Sequence, residues 1–146
     1  MTTSKRPAIL DTALIMKDDG LIAASAAATV ASVATILDVG NGFTKGTVVV
    51  EVTAIEVATG DEIYSIEVQG SNSSSFASGI VILSQLRVGD STVSFESADS
   101  TVGTYRIPVE NEKLGTHYRY MRIYTRVAGT VATGINYNAF LTKHIG

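Results

Sequence analysis

The stretch GTVVVEVTAIEVATGDEIYSIEVQGS, residues 46–71, alternates side-chain character with a period of two. Val48, Val50, Val52 and Ala54 fall on one face of a first segment, with Val49, Glu51 and Thr53 opposite. After a turn at Thr59-Gly60-Asp61, Tyr64, Ile66 and Val68 share one face, and Ile63, Ser65, Glu67 and Gln69 the other. A period of two is the signature of a strand with one buried side. The short polar turn between the two segments predicts that they pair as a hairpin.

The same reading extends along the chain. ALIMKDDGLIA predicts two short strands around Asp18-Asp19-Gly20, and Val33–Val39 a further strand before the turn at Gly40-Asn41-Gly42. GIVILSQLRVG and Gly103–Val109 read as strands, Val93–Phe95 as a short one, and SNSSSFASG and Glu110–Thr116 as polar loops. YRYMRIYTRVAGTVATGINYNAFLTK, residues 118–143, reads as two strands joined by a turn at Gly129–Gly134. About eight strands, with the Ala/Ser/Thr run at 23–32 read as a loop rather than a helix, predict an all-β fold, since a parallel sheet would need crossover helices. The expectation is an antiparallel β-sandwich, jelly-roll-like, with immunoglobulin-like connectivity as the alternative. Residues 1–12 read as an N-terminal arm, and 13–146 as a single domain.

Composition narrows the chemistry. With no cysteine, disulfides, thiolate nucleophiles and Cys-ligated metals are excluded. The uncharged run Leu21–Leu37 is mostly Ala, Ser and Thr, too weakly apolar for a membrane span. The chain is expected to be soluble and without a targeting segment. His117 and His144 have no partner at metal-ligand spacing. No GxSxG, P-loop or dinucleotide fingerprint occurs, and Asp18-Asp19-Gly20 lacks the ligand pattern of a calcium loop. Glu51, Glu56, Glu62 and Glu67 are expected at solvated strand positions. No cofactor and no enzymatic activity are expected.

Charge is unevenly placed. All fourteen acids lie at or before Glu112, and from Lys113 onward five cations stand with no acid. Within that basic end, Tyr118, Tyr120, Arg122, Tyr124 and Arg126 fall on one face of a strand whose other face carries Arg119, Met121, Ile123, Thr125 and Val127, apolar apart from its first member. The apolar face belongs against the core, so the Tyr/Arg face is the outer one. Tyr and Arg are enriched at protein–protein hot spots, which makes these five residues the candidate interface. A cross-strand Tyr–Arg stack that merely stabilises the sheet is an equal reading. Single-stranded nucleic acid also favours interleaved aromatics and cations, but the acidic body opposes it. A carbohydrate platform is a fourth reading, weakened by the absence of Trp.

Several segments are similar to one family. LDTALIMKDDG, TILDVGNG, VVVEVTAIEVATGDEIYSIEVQGS and RIPVENEKLGTHYRYMRIYTRVAGTVATGINYNAFLTK carry the likeness. In them the chain resembles the small capsid cement, or decoration, proteins of tailed bacteriophages, of the type first described for a Bordetella phage. The resemblance implies a jelly-roll-like domain that is not an enzyme. It implies a homo-oligomer on the outer capsid surface of the virion, bound to the major capsid protein and bridging neighbouring capsomers. It brings no nucleic-acid or membrane partner and no motif of functional residues. The alternative from another class is a carbohydrate-binding β-sandwich used in host attachment, with a glycosidase behind it.

Overall fold

The computed structural model describes residues 14–94 and 98–143. The expected arm and His144 lie outside the described residues. Six short strands come first: β1 (Ile15–Lys17), β2 (Leu21–Ile22), β3 (Ala26–Ala27), β4 (Thr29–Val30), β5 (Val33–Ala34) and β6 (Leu37–Asp38). The long ones follow: β7 (Lys45–Ile55), β8 (Ile63–Ser71), β9 (Val81–Gly89) and, after the helical turn α1 (Ser91–Ser94), β10 (Gly103–Glu110). The small hairpin β11 (Glu112–Lys113) and β12 (Thr116–His117) precedes β13 (Tyr120–Ala128) and β14 (Ile135–Lys143).

Two antiparallel sheets face each other. One runs β1-β14-β7-β10 with β2 also on β14; the other runs β3-β13-β8-β9 with β6 also on β13. The chain is thus an all-β sandwich, as the alternation predicts. The pairings are nested: β8 with β9, β7 with β10, β3 with β13 and β1 with β14.

Both expected hairpins are corrected. β7 pairs with β14 and β10, whereas β8 pairs with β13 and β9. β13 and β14 likewise lie in opposite sheets. The reason is the burial that alternation encodes. Val48, Val50 and Val52 on β7 and Tyr64, Ile66 and Val68 on β8 are all at most 3% exposed. Two strands that each bury one whole face can satisfy it by facing one another across a sandwich as well as by lying side by side. Here the turns 56–62 and 129–134 cross from one sheet to the other. The core between the sheets adds Met16, Ile107, Met121, Ile123, Ile135, Tyr137, Ala139 and Leu141. Each large aliphatic buried there contributes roughly 1.5–3 kcal/mol.

Two further segments differ from expectation. Val33–Val39 is broken into β5, which turns back on β4 through Ala31 and Ser32 at positive φ, and β6, which pairs with β13 instead. Val93 lies in α1 rather than in a strand: Thr92 N–H bonds the Asp90 side chain, which holds the chain in a turn.

Candidate functional site

β13 sits inside its sheet, with β8 along one edge and the short β3 and β6 along the other. Its alternation is as expected. Met121, Ile123 and Thr125 are buried, while Tyr120, Arg122 and Tyr124 are half-buried and Arg126 is exposed on the outer face. Tyr118 departs from the group. It precedes β13 and its Cβ lies 3.1 Å from where a Cβ on Gly70 would stand. Gly70 is the register partner of Met121, so Tyr118 packs on the inner side of the sheet. Four of the five candidate residues share the outer face.

The face is less uncompensated than the sequence implies. Across the register Tyr124 stands opposite Glu67, and Arg122 opposite Gln69. Arg126 Nε donates to Glu67 Oε2 at 2.6 Å, and Gln69 Nε2 donates to Glu67 Oε1 at 2.9 Å. Arg122 Nε donates to Gln69 Oε1 at 2.9 Å, which closes a chain Arg122–Gln69–Glu67–Arg126. Arg119, just before the strand, forms a two-pronged bond with Asp38, both contacts at 2.9 Å. The acids that meet these cations come from β8 and β6, far away in sequence.

Glu67 corrects a second expectation. It is only 2% exposed, not solvated. Burial pushes its carboxyl up, but the bonds from Arg126 and Gln69 outweigh this and hold it below the ordinary value. Glu62 is fully buried and is corrected in the same way. Its carboxylate accepts from Thr59 N–H at 2.6 Å, from Gly60 N–H at 3.2 Å and from the Thr59 hydroxyl. Glu56 accepts from the N–H groups of Ala132, Thr133 and Gly134. Glu51 alone of the four is an exposed strand residue. Among the described residues no cluster of three His, Asp or Glu is placed to hold a metal.

The aromatic rings complete the outer face. The Arg122 guanidinium lies 4.5 Å from the Phe76 ring centroid and 5.5 Å from that of Tyr124. Arg126 lies 5.0 Å from the Tyr124 ring, and Arg119 5.4 Å from the Tyr120 ring. Phe76 was not legible as a member of this group. It lies in the 72–80 loop, only 5% exposed, at φ +55. That loop is not purely solvated: it folds back so that the Phe76 ring meets the Arg122 guanidinium. A lone aromatic in a run of serines was the available signal. No protein-family model matches the chain, and no curated protein matches it.

Proposed function

We propose that this chain is a virion structural protein that docks on the outer surface of an assembled coat shell, bridging neighbouring subunits and performing no catalysis. The carrying observation is the outer face of β13. Tyr120, Arg122, Tyr124 and Arg126 stand on a strand whose reverse side is locked into the core by Met121, Ile123 and Thr125. A rigid platform of aromatic and guanidinium groups spends little entropy on binding. The resemblance of the quoted segments to capsid cement proteins supplies the partner, the major capsid protein, and the place, the outside of the shell. We read the nested strand pairing as jelly-roll-like on the same ground. A shell repeats one site many times, so a homo-oligomer with modest contacts gains affinity from effective concentration.

The carbohydrate reading is second. Against it, Tyr124 is flanked by two guanidiniums rather than open as a stacking platform.

Co-sedimentation with coat shells of the source phage tests the proposal. Saturable binding at a simple ratio to the coat protein is expected, and no binding to intact shells overturns it. Glycan-array binding that disappears in Tyr120→Ala and Tyr124→Ala would put the sugar reading in its place.

A further inference from the structure

The cations of this face are not equivalent. Arg126 has Glu67, and Arg119 has Asp38; among the described residues these are the ion pairs that form. Arg122 has no carboxylate. Its Nε is engaged with Gln69, and its two terminal nitrogens have no partner among the described residues. Yet Arg122 is half-buried, with its guanidinium against the Phe76 and Tyr124 rings. Burial pulls its guanidinium below the ordinary value, with Tyr124 opposing.

The surroundings offer no counter-charge. On β8 the outward neighbours are Ser65, Glu67, Gln69 and Ser71, and Glu67 is already committed to Arg126 and Gln69. On β9 the register partners are Gln85 and Arg87, and Arg87 adds a further cation. The 72–80 loop contains no acid. This face therefore carries an excess of positive charge on a protein whose net charge is −3. A guanidinium partly removed from water and left without an anion costs stability in the isolated protein. Its fork geometry is matched by the two oxygens of a carboxylate.

We propose that Arg122 is the receptor for an Asp or Glu carboxylate presented by the protein surface on which this face docks. The identity of that surface rests on the docking reading above; the carboxylate specificity does not. Phe76 and Tyr124 hold the guanidinium plane and Gln69 fixes its Nε, so the two terminal nitrogens are the donors that meet the partner. Arg126, spent on Glu67, contributes shape and not the anion contact.

The test uses the full chain with its arginine Nε–H groups observed by NMR. An octaglutamate peptide at low salt is expected to shift the Arg122 signal saturably and to leave Arg119 unmoved. Arg122→Lys keeps the charge and the stem but loses the fork, and should weaken the peptide by about tenfold or more. Arg122→Gln removes the charge while the Arg119–Asp38 and Arg126–Glu67 pairs remain, and should bind the peptide no better than Arg122→Lys. An oligothymidylate of similar charge should bind more weakly. An unmoved Arg122 signal, or tighter binding to the oligothymidylate, overturns the proposal. Equal sedimentation of the parent and Arg122→Lys with shells also overturns it while leaving shell docking intact. If the parent ignores shells but octaglutamate still shifts Arg122, the shell reading fails and the carboxylate site stands.

Discussion

Thr125 on β13 and Tyr137 on β14 meet across the gap between the sheets, hydroxyl to hydroxyl at 2.5 Å, and both residues are fully buried. Burial pushes the Tyr137 phenol far up, with the Thr125 bond opposing, so it stays neutral across the ordinary pH range. The same tyrosine receives Lys17. Lys17 Nζ donates to Tyr137 O at 2.7 Å and to Asp18 O at 2.9 Å, and lies 4.4 Å from the Tyr137 ring. A buried hydroxyl pair of this kind is sensitive to removing one partner, since the other is left desolvated. Tyr137→Phe is therefore expected to lose about 1–2 kcal/mol in urea unfolding. Adding Thr125→Val should restore most of that loss, because both polar groups are then gone. A double variant as unstable as the sum of the two single ones would show that the pair does not interact. Alternation puts Thr125 on the core face of its strand, and groups Tyr137 with Ile135, Ala139 and Leu141 on one face of the next. That they touch was not readable, because contact between sheets depends on how the two sheets are laid over each other.

The two crossover turns form the next level. Glu56 accepts three backbone N–H groups of the 129–134 turn, and Asp61 accepts from Thr130 N–H at 2.9 Å and from its hydroxyl at 3.0 Å. Acids of one turn thus replace the missing strand pairing of the other. Gly134, at φ +85, leaves no room for a side chain: a Cβ there would stand 1.8 Å from Ile22 O. Gly134→Ala should cost at least about 2 kcal/mol, from both the backbone strain and the clash. Gly42→Ala, with nothing within 4 Å, should stay within about 0.5 kcal/mol of the parent. Thermal melting of the two variants checks the contrast. The hydrogen bonds from Gly134 and Thr133 hold Glu56 below the ordinary value, and those from Thr130 and Thr59 do the same for Asp61. The unfolded chain then takes up protons before the folded one as pH falls. The stability these groups supply is full above about pH 4.5, the ordinary Glu value, and is lost as pH falls through the folded values. Glu56→Gln should lower stability at neutral pH, with the gap to the parent narrowing steadily below pH 4.5 in urea unfolding. A gap that stays constant with pH would mean that ionisation of Glu56 contributes nothing.

At the scale of the whole molecule, the sequence specifies which face of each strand is buried far better than it specifies the neighbour. Period-two alternation settles the side on which Val48 or Ile66 lies, whatever the topology. It is silent on whether the next strand lies beside or opposite, so the expected β7–β8 and β13–β14 hairpins became crossovers. The candidate site shows the same division. Tyr120, Arg122, Tyr124 and Arg126 were legible by alternation. Glu67, Gln69 and Phe76 were not, since they arrive from other parts of the chain. These long-range pairings also determine how the fold comes apart. β14 pairs with β1 and β7, and β13 with β3 and β8, so apart from the consecutive pair β8–β9 the sheets are assembled from segments far apart in the chain. Neither sheet buries its inner face without the other, because the core is shared between them. The sheets should therefore unfold as one unit. Closing such distant pairings before they are rewarded makes folding slow, in the millisecond-to-second range typical of sandwiches. Native-state hydrogen exchange is the measurement. Amides of β7, β8, β13 and β14 should exchange only through global opening, with one common free energy. Those of the exposed β4–β5 hairpin should exchange through local opening. Tyr137→Phe should then lower protection in both sheets by the same amount. A loss confined to the sheet of β14 would show that the two sheets are separate cooperative units and that the Tyr137–Thr125 contact does not couple them.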